Sequence, residues 1–296
     1  MSELRSPSVA ELARSRFSEL TPAERKVART LLNDYPIAGL QPIARLALAS
    51  AVSGPTVLRL AARLGFSGWP DVQAALKSEL GTRLSSPLEL YPVAPHRDQN
   101  IDDQLSRIGQ AVGEHVRSSL AGIPAADWEA ALRLLTDSRR RVLVTGGRFS
   151  HVLAQHLGAH LRILRPAVAI IGHTCDARSS AVLDVGRRDT VVVFDFRRYQ
   201  PDVVAFGEAA KAQSAAVVLV TDQYLSPLSA AADVVLMTSI EAPSPFDSLT
   251  PAFALVEAMI AAVLRRLGDR PRSRLARFES LTKSAGARWD AAGGQT

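Results

Sequence analysis

The segment from Ser53 to Gly65 combines short hydroxyl side chains with arginines at a spacing that suits contact with DNA. An inward stripe at helical spacing consists of Val57, Leu60, Ala61 and Leu64. This leaves an outward face made of Ser53, Gly54, Pro55, Thr56, Arg59 and Arg63. Hydroxyls near a helix N-terminus approach phosphates or base edges, and an arginine one turn later reaches a guanine edge. The alternative interpretation is the solvated face of an ordinary bundle helix.

Two helices before this segment would position it on DNA. The first begins with the capping box Thr21-Pro22-Ala23-Glu24, and a second, short helix is expected at about 42–48. With the helix over 53–64, they predict a trihelical helix-turn-helix whose third helix enters the major groove. Lys26 on the first helix and Arg45 on the second are expected to contact the DNA backbone without reading sequence.

Other chemically active residues do not form a catalytic or metal-binding pattern. His156 and His160 stand at i, i+4 spacing, which can chelate a metal, but no Asp or Glu between 149 and 166 completes a ligand set. Asp195 and Asp222, at expected strand ends, have the chemistry of general bases, although such acids more often cap loops or helices. We therefore predict no catalytic residue, no metal and no cofactor.

The pattern changes after a proline-rich segment at 83–100, which predicts a linker. Helices are expected at about 101–121 and 125–137. Short valine-rich runs then alternate with helical stretches, which predicts a parallel sheet with helices on both faces. We divide the chain into a helix-turn-helix domain (1–82), a linker (83–100), connector helices (101–137), an α/β domain (138–268) and a basic, disordered tail (269–296).

Composition indicates a globular protein of the cytoplasm. Hydrophobic residues make up 47% of the 296 residues, and no apolar run approaches the roughly 18 residues that a membrane span needs. The first 16 residues carry charges throughout, unlike a secretory signal, and a single cysteine, Cys175, excludes an internal disulfide. The net charge of +6 is concentrated in residues 1–83 and 265–288. Because a basic tail is often only a solvated end, charge alone does not establish binding to nucleic acid.

Four sequence blocks favour the DNA-binding interpretation. They are LTPAERKVA at 20–28, IARLA at 43–47, VSGPTVLRL at 52–60 and LGFSGW at 64–69. In order and spacing they resemble the L-T-x-x-E-x-x-V-A, I-x-x-L-A, V-S-x-x-T-V-x-R and L-G-F-x-G-[FWY] blocks of the RpiR family of bacterial regulators. The resemblance implies an α + α/β protein, with a trihelical helix-turn-helix followed by a flavodoxin-like SIS domain. That domain would have a parallel sheet with helices on both faces and would bind ligands at the C-terminal strand ends.

The resemblance also places an effector site in two loops, and the chain departs from the family in both. The first loop, G-x-G-x-S in the family, is GGRFS at 146–150, so Arg148 replaces the second glycine. The second, S-x-S-G-x-T, is DFRRYQ at 195–200, without the hydroxyls and the glycine. In one interpretation the arginines bind a carboxylate or phosphate, and in the other the pocket has degenerated and they form salt bridges. The predicted effector residues are Gly146, Gly147, Arg148, Ser150, Arg197, Arg198, Ser244 and Ser248.

These features predict a transcriptional regulator whose affinity for operator DNA is controlled by a small anionic effector, resembling a sugar phosphate or a carboxylate, in the SIS domain. One short recognition helix reads few bases, so we expect a homodimer or homotetramer on a pseudo-palindromic double-stranded operator. The protein would be bacterial and cytoplasmic, associated with the nucleoid when bound, with no membrane partner. The alternatives are a SIS-type sugar-phosphate isomerase and a regulator that has lost its effector.

Overall fold

The N-terminal part of the chain is helical. The computed structural model describes residues 7–84, Leu88 and residues 101–293. The helices of the first range are α1 (Val9–Ser15), α2 (Pro22–Asn33), α3 (Ile37–Leu40), α4 (Ile43–Ala49), α5 (Gly54–Arg63) and α6 (Trp69–Leu84). A short 3-10 helix, Phe17–Glu19, joins α1 to α2.

The helix-turn-helix forms as the sequence predicts. Thr21 caps α2, its hydroxyl accepts a hydrogen bond from the Glu24 backbone, and the Glu24 carboxylate accepts one from the Thr21 backbone at 2.9 Å. This reciprocal pair satisfies N–H groups that a helix start otherwise leaves unpaired. The axes of α4 and α5 differ by 99°, an angle typical of the motif. The predicted inward stripe of α5 is buried, whereas α1 and α3 are helices that the sequence did not predict.

The second described range contains an alternation of strands and helices. Its helices are α7 (Ile101–Ala121), α8 (Ala125–Thr136), α9 (His151–Leu164), α10 (Cys175–Val182), α11 (Pro201–Ala212), α12 (Thr250–Leu267) and α13 (Arg272–Gly293). Its strands are β1 (Arg141–Gly146), β2 (Val168–Ile170), β3 (Asp189–Phe194), β4 (Ala216–Asp222) and β5 (Val234–Thr238). Pro227–Ala230 form a short 3-10 helix between β4 and β5.

The five strands form one parallel sheet in the order β2-β1-β3-β4-β5. This is the flavodoxin-like order, and the predicted fold class is confirmed. Alternate side chains enter two cores: Val191 and Val193 pack with α11, whereas Val192 and Phe194 pack with α8, α9 and α12. Because every strand is covered on both faces, its sequence is a continuous apolar run and does not alternate with polar residues.

An apolar seam joins the helix-turn-helix to the sheet. The buried residues of α1, α2, α5 and α6 belong to the same hydrophobic cluster as those of α11 and one sheet face. Polar contacts border the seam: the Ser8 hydroxyl donates to the Gln223 carbonyl at 3.1 Å. Arg14 donates to the Val235 carbonyl at 3.2 Å and pairs with Asp127 of α8 at 3.3 Å. Burial lowers the pKa of Arg14, and the carboxylate of Asp127 opposes this shift.

The structure describes little of the predicted linker but most of the predicted tail. Most of the linker predicted at 83–100 lies outside the described residues. The tail beyond 269, which its composition predicts to be disordered, instead contains α13, whose described side chains are exposed. Among the described residues no single helix has the length and hydropathy of a membrane span. The pair α4 and α5 passes that test only when its two bent helices are counted together.

Candidate functional site

Helix α5 presents two arginines to solvent. Arg59 and Arg63 are exposed, as are Ser53 and Pro55 at the start of the helix, while Gly54 is half-buried. Lys26 and Arg45 are exposed on α2 and α4. The structure therefore leaves the predicted cations of this domain accessible, and their role in DNA contact stays a prediction.

Thr56 lies elsewhere than predicted. It is buried, at 4% exposure, instead of sharing the outward face of α5. Its hydroxyl accepts a hydrogen bond from the Arg59 guanidinium at 2.8 Å and lies 3.2 Å from the Ser53 hydroxyl. The first turn of the helix tilts this short side chain toward the core, so its hydroxyl contacts the Arg59 guanidinium and is shielded from solvent.

A cleft of about 560 Å³ opens at the carboxyl ends of β1 and β3. These neighbouring strands are the point at which the strand order reverses, where ligands bind in sheets of this type. Three loops line the cleft: the first loop (147–150), the second loop (195–200) and the third loop (239–249) between β5 and α12. Five predicted effector residues meet there: Gly147, Arg148, Ser150, Arg197 and Arg198.

The first loop is held tightly against the sheet. The Ser150 hydroxyl donates to the Phe194 carbonyl at 2.7 Å and accepts from the Gly147 backbone at 2.9 Å. A Cβ on Gly146 would lie 2.8 Å from the Ser150 carbonyl oxygen, so the chain needs glycine there. Gly146 and Ser150 therefore shape the loop, and the Ser150 hydroxyl already has two backbone partners.

The second loop contains an internal ion pair. The Arg197 guanidinium, whose side chain is 5% exposed, contacts both carboxylate oxygens of Asp247 in the third loop. The buried Asp222 carboxylate accepts from the Arg197 backbone and, at 2.8 Å, from the Tyr199 hydroxyl. For Arg197 the salt-bridge interpretation therefore applies: its charge ties two loops together.

Arg148 and Arg198 differ from Arg197. Both are exposed on the cleft wall, and the structure shows no hydrogen bond or ion pair from either guanidinium to another described residue. Arg148 lies over the Phe149 ring, 5.2 Å from its centroid. Arg198 has a backbone φ of +72° at the position where the family loop has glycine. These two side chains keep the donor capacity that a bound anion requires.

The third loop contributes cleft residues that the sequence did not predict. Phe246, Asp247 and Leu249 line the cleft, together with Phe149, Phe196, Tyr199 and Gln200 of the other loops. Ser244 and Ser248, predicted as ligand hydroxyls, do not line it. They bond locally instead, Ser244 with the Phe246 backbone and Ser248 with Thr250.

Four histidines of the α/β domain form two separate pairs. His156 bonds Glu257 of α12 and its ring lies 4.6 Å from that of His160. Within the part of the chain that the structure describes, no group of three His, Cys, Asp or Glu residues is arranged to hold a metal ion. His151 is the first residue of α9 and lies beside His173 and Arg178. Its pKa is lowered chiefly by burial and also by electrostatic repulsion from those two neighbours.

Two family models match the chain. Residues 8–83 match the helix-turn-helix domain of the rpiR family, and residues 134–262 match the SIS domain. The chain belongs to the RpiR family. The assignment made from the four sequence blocks is thus confirmed, and the SIS match covers the sheet and all three loops of the cleft.

Curated relatives of this RpiR-family chain include two kinds of protein. The bifunctional protein glk of Paraburkholderia xenovorans is 30% identical over 240 residues, which are 79% of this chain and 35% of that protein. The HTH-type transcriptional regulator RpiR of Escherichia coli is 23% identical over 228 residues, 77% of this chain and 75% of the relative. The chain spans about a third of the length of the first curated relatives it matches.

A solved structure shares both domains. The Vibrio vulnificus NanR protein, complexed with ManNAc-6P, has a TM-score of 0.54 and 17% identity, covering 93% of this chain and 98% of that one. At this identity the similarity concerns the fold, which here includes the helical N-terminal part as well as the sheet.

Proposed function

We propose that this protein is a transcriptional regulator that binds operator DNA through α5 and changes its affinity when a small anion occupies the cleft. The observation that carries the proposal is the pair of exposed arginines, Arg59 and Arg63, on the third helix of an rpiR-family helix-turn-helix. Arginine at this place reads guanine in the major groove or binds phosphate. The seam between that domain and the sheet gives the cleft a physical connection to the DNA-binding helix.

The DNA partner is a pseudo-palindromic operator bound by a homodimer or homotetramer. A helix with so few outward residues contacts only a few base pairs, and two copies related by a two-fold axis double that number. The protein would act in the cytoplasm, on the nucleoid when it is bound to its operator. Lys26 and Arg45 would neutralise phosphates and add to the salt dependence of binding.

The ligand is a small phosphate or carboxylate. Arg148 and Arg198 supply unpaired guanidinium groups in a cleft of about 560 Å³, a volume in the range of small-molecule sites. The binding of ManNAc-6P by NanR, which has a related fold, supports a ligand of this kind in the SIS domain.

The cleft does not act as an isomerase in this proposal, although some relatives have enzyme names. Isomerisation requires an acid or base that is free to exchange a proton with the substrate. In the described residues that line the cleft, Asp195 is bonded to Ser226 and Gln200, and Asp247 to Arg197. Incubation of the purified protein with sugar phosphates, followed by product analysis, is expected to show no turnover.

The DNA-binding part is tested by incubating the full chain with sheared genomic DNA of its host and sequencing what is retained. Wild type is expected to enrich a few loci that share an inverted repeat, and Arg59→Ala to lose them. Arg187→Ala is the matched control, since Arg187 is an exposed arginine of the SIS domain, in the turn between α10 and β3. Equal enrichment by wild type and Arg59→Ala would show that α5 is not the recognition helix.

The effector part is tested separately by thermal unfolding with phosphorylated and carboxylated metabolites. A ligand that binds only the folded state raises the melting temperature, and the rise grows with the logarithm of its concentration relative to its Kd. We expect stabilisation that Arg148→Ala abolishes. A protein that retains specific DNA but is stabilised by no such ligand would be a regulator without an effector.

A further inference from the structure

Two large aromatic side chains at the mouth of the cleft are left in solvent. Phe149 of the first loop is 74% exposed and Phe246 of the third loop is 68% exposed. Tyr199 and Leu249 extend the same apolar surface into the cleft. A concave surface that exposes large apolar groups is typical of a site that a ligand covers, because water against these rings is unfavourable.

The hydrogen-bonding groups of the cleft do not suit a free sugar. A sugar ring presents hydroxyls that need acceptors as well as donors, and the side-chain acceptors here are already bonded. Asp195 accepts from Ser226 and Gln200, Asp247 pairs with Arg197, and the Gln200 amide oxygen accepts from the Arg148 backbone. The Ser150 and Tyr199 hydroxyls are also engaged.

The hydrogen-bonding groups of the cleft that remain available are guanidinium donors, and they lie beside aromatic rings. Arg148 and Arg198 have no ion-pair partner among the described residues, and the Arg148 guanidinium lies against Phe149. Arg198 adopts a φ of +72°, a conformation that favours glycine and is unfavourable for a long side chain. Residues with such backbone strain cluster at ligand sites, where the surrounding structure holds them in place.

We propose that the ligand of this cleft is an anion joined to a flat aromatic body, not a free sugar phosphate. Arg148 and Arg198 bind the anionic group, and Phe149, Tyr199 and Phe246 pack against the ring. This inference rests on the proposed function, because it names the chemical class of the effector. Aromatic rings stack on one another and on guanidinium planes, so the same wall recognises both parts of the ligand.

Calorimetric titration of the full chain with three probes separates the contribution of the anionic group from that of the aromatic ring. Phenyl phosphate has the anion and the ring, glucose 6-phosphate has the anion on a sugar, and inorganic phosphate has the anion alone. We expect phenyl phosphate to bind about tenfold more tightly than either of the others, the advantage of one well-packed aromatic contact.

Substitutions in the cleft test the contribution of the arginine and that of the aromatic rings separately. Arg148→Ala is expected to weaken phenyl phosphate at least tenfold, and Phe149→Ser and Phe246→Ser to lower its affinity to that of glucose 6-phosphate. Both phenylalanines are largely exposed, so these changes leave the fold intact. Arg187→Ala and Phe278→Ser, an exposed arginine and a half-exposed phenylalanine outside the cleft, are the matched controls and should bind as wild type does.

Three outcomes overturn the inference. Equal affinity for the three probes, lost in Arg148→Ala, would indicate an anion site without selection for a ring and would leave the proposed function standing. A Phe149→Ser protein that changes oligomeric state but binds phenyl phosphate normally would assign the rings to a contact between subunits. Absence of binding by all three probes would reject the ligand class, and retention of operator DNA in the same preparation would show that the DNA-binding proposal is unaffected.

Discussion

Replacement of Arg198 by glycine is expected to stabilise the fold while it weakens ligand binding. The residue is third in a turn closed by a 3.0 Å hydrogen bond from the Tyr199 backbone to the Phe196 carbonyl, and its φ is +72°. A left-handed conformation costs a non-glycine residue about 1–2 kcal/mol, whereas glycine costs about 0.5–1 kcal/mol of extra chain entropy. The difference predicts a gain of roughly 0.5–1 kcal/mol in the free energy of unfolding.

Urea unfolding followed by circular dichroism measures this change, with Arg187→Gly as the control. Arg187 is exposed in a turn of the same domain and does not have a positive φ, so glycine there adds only chain entropy. The control should lose about 0.4–1 kcal/mol, and the two arginine-to-glycine changes should have opposite signs. If Arg198→Gly is destabilised as much as Arg187→Gly, the backbone at 198 is not strained and the argument for a functional side chain there fails.

Three further changes test other contacts. Thr56→Val removes the acceptor that orients Arg59 and should weaken operator binding about threefold to tenfold, the effect of one hydrogen bond, with no further effect in an Arg59→Ala background. The lowered pKa of His151 means that the folded state keeps it neutral while the unfolded state takes up a proton below about pH 6.5. Stability is therefore lost as pH falls through that range, and His151→Gln should make the loss between about pH 7.5 and 5.5 smaller; an unchanged pH dependence would contradict this. A Cβ at Gly146 would meet backbone atoms at 2.8–3.0 Å. Gly146→Ala should therefore lower the free energy of unfolding, measured by urea denaturation, by about 1–3 kcal/mol. Gly186→Ala, with open space around it, should not lower it.

The sheet and the position of the cleft follow from sequence because local pattern determines them. Valine-rich runs between helices predict parallel strands, and the carboxyl ends of parallel strands meet at one edge, so the loops that contain Arg148 and Arg198 had to be close. The contribution of the third loop was not predictable in this way. Asp247 meets Arg197 across 50 residues of chain, and no periodicity specifies such a pair.

Two errors in the helix-turn-helix and the tail have physical causes. Helical periodicity placed Thr56 outward, but the first turn of α5 lies against the core, and a threonine is small enough to be buried when its hydroxyl finds a partner. The basic composition beyond 269 predicted disorder, yet the run from Arg272 has residues that favour a helix, and α13 forms with little burial.

The apolar seam makes stability a property that both domains share. Separation of the DNA-binding helices from the sheet would expose buried side chains of α1 and α6 as well as those of α11. Calorimetry should therefore record one cooperative melting transition for the described parts of the chain, not two. It follows that operator DNA, by binding the folded helix-turn-helix, slows hydrogen exchange of those sheet amides that open only in global unfolding, and that a ligand in the cleft protects such amides of the DNA-binding helices in return.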